Sequence, residues 1–203
     1  MARYTGPKDK ISRRFGVALF GSNKTLEQKN YPPGIHGPKG ARRKQSEYAV
    51  ALAEKQKLRF QYGVQERQFR RYFGIAQRKR GVTGEILLQL LETRLDNVVF
   101  RLGFASSRSA ARQMVGHGHV QVNGRKCNIS SHTLKSGDKV TVKPTERSKA
   151  LAARGLEMTQ ISAVPGWLEL DKDSLAGVVS RIPSREEIAP IVNEQLIVEL
   201  YSR

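Results

Sequence analysis

Residues 93–143 leave this chain the least freedom, because every few positions carry a signal that one local structure satisfies. Leu95, Val98, Val99 and Leu102 recur at steps of three and four, which places them on one face of a helix. Thr93 followed by Asp96 has the form of a capping box with Asp in place of Glu. Gly103 supplies the left-handed residue that commonly ends a helix. A second helix opens at Ser106 or Ser107, either of which can cap it. It buries Ala110, Ala111, Met114 and Val115, stops at Gly116, and its small alanines let the two helices approach closely. His117-Gly118-His119 leads into a strand at Val120–Val122. Asn123-Gly124 then calls for a type I′ hairpin turn, since both positions need φ > 0, with a return strand over residues 125–129. Lys135-Ser136-Gly137-Asp138 is a further turn, and residues 139–143 alternate polar and apolar as a strand does.

The polar side of this unit is basic. Arg108 and Arg112 lie four apart, on the helix face away from the alanines, and are expected to be exposed. The candidate contacts here are Arg94, Ser107, Arg108, Arg112, Gln113, His117, His119, Asn123, Arg125 and Lys126. Arg94-Leu95-Asp96-Asn97, Ser107-Arg108-Ser109-Ala110-Ala111-Arg112-Gln113 and His119-Val120-Gln121-Val122-Asn123-Gly124 resemble the small RNA-binding module named after small-subunit ribosomal protein four. That module also occurs in pseudouridine synthases, tyrosyl-tRNA synthetases and a heat-shock RNA-binding protein, so the resemblance implies structured RNA without saying which.

Charge separates the chain into parts. The net charge is +18, with 38% hydrophobic residues. Residues 1–85 carry +14, residues 86–143 carry +6, and residues 144–203 carry −2. Self-repulsion of this size disfavours a compact chain unless a polyanion neutralises it. The asymmetry assigns polyanion contact to the first part and protein packing to the last. The single cysteine, Cys127, forms no intrachain disulfide and fits a reducing compartment. No signal-peptide pattern or apolar run of membrane-spanning length occurs.

Residues 1–44 read as an extended, loop-rich basic arm, broken by Gly6-Pro7, Pro32-Pro33-Gly34 and Gly37-Pro38. Its candidate phosphate contacts are Arg3, Lys8, Lys10, Arg13, Arg14, Lys39, Arg42, Arg43 and Lys44. Residues 46–60 read as a helix capped by Ser46, with Ala49, Leu52, Ala53, Gln56 and Phe60 as its stripe and Lys55 and Arg59 on other faces. A helix over 65–73 places Phe69, Tyr72 and Phe73 in the core and leaves Arg67, Arg70 and Arg71 for RNA. Arg78, Lys79 and Arg80 form a basic connector. Residues 84–92 make a helix that is apolar almost all round and so is expected at a domain joint. Beyond the module come a helix over 145–156 and two strands, 167–170 and 176–180, expected to extend the sheet. Residues 193–203 fit either a helix or a strand.

The expected fold class is α+β: a mainly helical N-terminal domain with an extended basic arm, plus a small two-helix and antiparallel-sheet RNA-binding module inserted before the C-terminal segment. The corresponding divisions are 1–44 (arm), 45–92 (helical domain, completed by 181–203) and 93–180 (module with a hairpin extension).

Other chemistries fit less well. Arg94-Leu95-Asp96 matches a fragment around the catalytic aspartate of pseudouridine synthases, but Asp96 in a first helical turn reads better as a cap. No phosphate-binding loop of the Gly-rich, Lys-Ser/Thr type is present, so no enzyme activity is expected. His117, His119, His132 and Cys127 lack the paired short spacing of a structural zinc site, so neither metal nor cofactor is expected. Two helices joined by a turn can mimic a DNA-reading helix pair, but Ser-Arg-Ser-Ala at the second helix start and a basic hairpin after it favour RNA.

The flanks narrow the resemblance. Pro33-Gly34, His36-Gly37, Tyr62-Gly63-Val64, Gln68-Phe69-Arg70-Arg71-Tyr72-Phe73, Gly84-Glu85 and Asn193-Glu194-Gln195-Leu196-Ile197-Val198-Glu199 closely resemble the bacterial-type small-subunit ribosomal protein four family, in order along nearly the whole chain. The resemblance implies a cytoplasmic, primary binder of small-subunit rRNA that nucleates assembly of the subunit body. It implies contact with small-subunit ribosomal protein five and, with proteins five and twelve, a role in translational accuracy. Some relatives carry a cysteine zinc knuckle near the N-terminus; this chain has no cysteine there, so zinc is not carried over. A free-standing RNA chaperone, or an accessory module of an RNA-modifying enzyme, is the alternative.

Overall fold

The computed structural model describes residues 4–21, 23–38, 45–159, 163–188 and 192–202. They fall into two units, one from residues 1–77 and 190–203, the other from residues 78–189. The architecture is α+β, with helices in the first unit and a two-helix, antiparallel-sheet module in the second.

The first unit begins with two short helices where an extended arm was expected, α1 (Lys8–Phe15) and α2 (Lys24–Gln28). The arm has few apolar residues of its own but borrows partners. Tyr4 and Phe15 pack on Phe60, with ring centroids 5.3 and 6.3 Å apart, and Ile11 and Leu19 are buried. Asn23 caps α2 by accepting from the Leu26 N–H, while its amide and the Thr25 hydroxyl donate to Asp9 at 3.2 and 3.1 Å.

Helix α3 (Glu47–Gln61) starts at Ser46, whose Oγ accepts from the Ala49 N–H. Its buried side chains are Ala51, Lys55 and Leu58, not the expected stripe through Leu52 and Phe60. The reason is that Lys55 is neutralised in place: its Nζ donates to Glu66 at 2.8 Å and lies 5.7 Å from the centre of the Tyr201 ring. Helix α4 (Glu66–Arg78) buries Phe69, Tyr72, Phe73 and Ala76, the core reading of its aromatics. The last segment is a helix, Glu194–Ser202, lying against α3. Tyr201 stacks on Phe73 at 4.7 Å and donates its hydroxyl to Glu66 at 2.7 Å. Between this helix and the start of α3 runs a groove of about 370 Å³ lined by Tyr48, Ala51, Leu196 and Leu200, with Glu47 and Glu199 at its edge.

In the second unit, α5 (Thr83–Glu92) buries Leu87, Leu88 and Leu91. Thr93 closes α5 by donating its hydroxyl to the Gln89 carbonyl at 2.8 Å, so it does not open the next helix as a capping box would. Helices α6 (Leu95–Arg101) and α7 (Arg108–Gly116) follow; the Ser107 hydroxyl caps α7 by accepting from the Ala110 N–H at 3.2 Å. The strands are β1 (Val120–Val122), β2 (Arg125–Lys126), β3 (Lys139–Val142), β4 (Leu168–Asp171) and β5 (Ala176–Val179), with α8 (Glu146–Thr159) between β3 and β4. All neighbours pair antiparallel in the order β2-β1-β3-β5-β4, so the last two strands extend the sheet as expected. Asn123 and Gly124 take φ of 50° and 77°, as the I′ turn demands.

Leu95, Val98, Val99 and Leu102 of α6 and its cap join Met114 and Val115 of α7 on Val120, Val140, Val179 and Trp167 in one core. Two glycines set the packing distance. A side chain at Gly155 of α8 would run into the Phe104 carbonyl, and one at Gly177 of β5 into the Leu102 side chain.

Candidate nucleic-acid interface

Helix α4 separates two chemistries by periodicity alone. With about 3.6 residues per turn, Phe69, Tyr72, Phe73 and Ala76 fall on one side, and Arg67, Arg70, Arg71 and Gly74 on the other. The first four are buried and the three arginines exposed. Arg78, which closes the helix, and Lys79 and Arg80 after it are exposed too. Lys8, Lys10 and Arg14 of α1 are exposed. Arg13 is held back: its Nε donates to the Tyr31 carbonyl at 3.2 Å and its guanidinium sits 4.8 Å from the Tyr31 ring centre. Arg3, Lys39, Arg42, Arg43 and Lys44 lie outside the described residues.

Three expected contacts in these helices and the module turn inward. Lys55 is 7% exposed and Arg94 is 3% exposed, so neither side chain reaches a surface ligand. Burial is tolerable because each cation has a partner: Glu66 for Lys55, and for Arg94 both oxygens of Asp96, at 2.9 and 2.7 Å. Arg59 is half-buried, donating to Gln56 at 2.7 Å.

Arg112 also departs from its expected exposure. Its Nε and Nη2 both donate to Asp96 Oδ2, at 2.8 and 2.6 Å, and only 13% of its side chain is exposed. Arg108 donates to Asn97 Oδ1 at 2.8 Å and lies 4.7 Å from the Phe100 ring centre. Asn97 in turn donates to Glu92 at 2.6 Å, and Arg101 reaches the same carboxylate through Nη2 at 2.6 Å. Asp96 and Glu92 are 2% and 1% exposed. Helix α6 thus carries a buried polar network rather than a cap. Fully partnered networks of this kind rigidify, whereas a lone buried carboxylate is costly.

The remaining module residues divide the same way. Gln113, His117, Arg125 and Lys126 are exposed. The His119 ring places Nδ1 2.8 Å from the Ser148 hydroxyl. The Asn123 amide is used inside the protein: it donates to Asp138 at 2.9 Å and accepts from the Lys139 N–H at 2.9 Å. Burial would raise the Asp138 carboxyl, but the Lys135 N–H and the Asn123 amide bring it below the usual aspartate value. Three cations absent from the expected set, Arg147, Lys149 and Arg154 of α8, are exposed as well. A helical wheel marked with the small residues Ser148, Ala152 and Gly155, all buried, separates them onto the outer face.

Among the described residues, no group of three or more His, Cys, Asp or Glu side chains comes together that could hold a metal ion. Among them, too, no helix is long and apolar enough to cross a membrane.

The cationic helix and the helix-pair-and-sheet unit define the class of proteins built on the S4 domain: residues 3–92 match the family described as ribosomal protein S4/S9 N-terminal domain, and residues 93–140 match the S4 domain. Over the full length of both chains, the sequence is 63% identical to the small ribosomal subunit protein uS4 of Akkermansia muciniphila, 58% to that of Opitutus terrae and 53% to that of Christiangramia forsetii. The chain belongs to the uS4 family of small ribosomal subunit proteins.

Proposed function

We propose that the protein is a structural, non-enzymatic constituent of the small ribosomal subunit that binds its rRNA and nucleates assembly of the subunit body. The observation that carries this reading is the two-faced helix α4, with an aromatic core side and an arginine side. Arginine forks pair with phosphate oxygens in two hydrogen bonds, and A-form RNA offers its backbone more readily than its base edges. The exposed cations of α1, of residues 78–80 and of the β1–β2 hairpin supply further phosphate contacts. Arg108 and Arg112 act through the fold, holding α7 against α6 so that Gln113, His117 and the hairpin are presented in a fixed arrangement.

A protein partner fits a different surface. The groove between α3 and the C-terminal helix is apolar with acidic edges in a chain that is otherwise strongly basic, and phosphate gains nothing there. Small-subunit ribosomal protein five, implied by the family resemblance, is the partner we assign to it, with coupling to protein twelve in translational accuracy. Sedimentation of a cell lysate tests the main reading. Stoichiometric presence in small subunits is expected, and a soluble, substoichiometric pool would point to a free-standing RNA chaperone instead. A crosslink between Tyr48 and protein five within intact subunits tests the partner.

A further inference from the structure

Gly74 sits in the interior of α4, where glycine costs about 1 kcal/mol relative to alanine. Among the described residues nothing in the fold requires it: a side chain built there meets none of their atoms within 4 Å, and its backbone is ordinary helix. The position is nevertheless not arbitrary. Gly74 follows Arg70 by four residues and Arg71 by three, which places it on the arginine face, one turn beyond them.

A helical side chain covers the turn N-terminal to its own Cα. At Gly74 that cover is missing, so the backbone of Arg70 and Arg71 is bare between their own outward-reaching side chains. A helix carbonyl keeps a second lone pair after its intrahelical bond. The arrangement therefore joins cations that take phosphate with an uncovered acceptor at the helix surface.

We infer that Gly74 forms a ribose seat: a sugar of the bound RNA strand rests on the bare turn and its 2′-hydroxyl donates to the Arg70 or Arg71 carbonyl, while neighbouring phosphates engage the arginines. The inference rests on the RNA-binding reading of α4. It adds recognition of RNA over DNA, which phosphate contacts alone do not provide.

The test uses the full-length protein and a transcript of the small-subunit rRNA. Gly74→Ala removes a helix-destabilising residue and adds one methyl group to the seat. It is expected to raise the melting temperature while weakening binding about tenfold, the equivalent of one hydrogen bond in a tight contact. Transcripts with sparse 2′-deoxy substitution are then partitioned into bound and unbound pools. One position should interfere with wild-type binding and cease to interfere with Gly74→Ala. Unchanged affinity in the variant, or an identical interference pattern for both proteins, overturns the seat. If wild type binds but Arg70→Ala and Arg71→Ala bind equally well, the RNA does not lie on α4, and the underlying reading fails together with the inference.

Discussion

Arg112 reaches across from α7 to Asp96 on α6 and gives one carboxylate oxygen two hydrogen bonds, at 2.8 and 2.6 Å. Asp96 is 2% exposed, and its other guanidinium partner, Arg94, is 3% exposed. Removing one member of such a set strands a buried charge. Asp96→Ala should cost about 3–5 kcal/mol, because it leaves both arginines without their carboxylate. Arg112→Ala should cost less, about 1.5–3 kcal/mol for hydrogen bonds to a charged group, because Arg94 still neutralises Asp96. Urea unfolding of the full-length variants checks both values and their order.

The exposed arginines of α4 should behave in the opposite way. Arg70→Ala and Arg71→Ala should leave the melting temperature nearly unchanged, since neither side chain is buried and alanine favours helix. Each should reduce the salt dependence of rRNA affinity by about 0.7–0.9 in log–log slope for every phosphate it no longer neutralises. Filter binding at several salt concentrations gives the slope. Arg112→Ala measured beside them should lose stability first.

Tyr201 and Glu66 make the last helix sensitive to acid. Burial would raise the Glu66 carboxyl, but hydrogen bonds from Lys55 and Tyr201 outweigh it and hold the group below the ordinary 4.5. Burial and the bond to Glu66 raise the Tyr201 phenol above its usual value. A carboxyl whose folded value is lowered stabilises above its unfolded value and loses that contribution as pH falls through the folded one. Tyr201→Phe keeps the ring on Phe73 and removes the donor. It should cost about 0.5–1.5 kcal/mol at neutral pH. On acidification from neutrality through the carboxylate range it should lose less further stability than the wild type does. Urea midpoints across that range check the difference.

Glu187 offers a local titration. It accepts hydrogen bonds from Arg181, the Ser184 N–H and the Ser184 hydroxyl, and these, Arg181 foremost, lower its carboxyl from 4.5 to about 2. The interaction should be intact above pH 4.5 and vanish as pH falls through about 2. Carboxyl carbon NMR should give a midpoint near that value in the wild type and a higher one, moving back toward the ordinary range, in Arg181→Ala.

Gly155→Ala tests how closely α8 is seated. A Cβ there meets a backbone carbonyl, that of Phe104, which cannot swing aside as a flexible side chain would. Overpacking of this kind should cost about 1–3 kcal/mol, although alanine is the better helix former. Thermal melting gives the sign directly.

The contrast between Gly124 and Asp96 shows what is legible in the sequence. Asn123-Gly124 encodes its turn in its own backbone preference, and the observed φ angles follow. Leu95, Val98 and Val99 encode a face by spacing, and all are fully buried. Asp96 encodes nothing so local. Its role depends on Arg112, sixteen residues away, whose helical face can be marked polar but not paired. Lys55 is illegible for the same reason, because its neutralising partner lies on another helix. Helix α1 leaves little local trace because Phe60, on which its Phe15 packs, comes from a distant segment. Periodicity and turn chemistry are properties of a window of residues; ion pairing and borrowed packing are not.

The helix Glu194–Ser202 lies in the same unit as α1 to α4, although more than a hundred residues separate them. A growing chain releases its N-terminus first, so the first unit lacks Tyr201 over its aromatic side chains until that last helix has been made. The second unit, continuous from residue 78 to residue 189, has every strand and helix it needs earlier. The unit that begins first in the sequence is thus the last to have all of its helices, and its basic N-terminal segment emerges beside a machine made of RNA before that last helix has been translated.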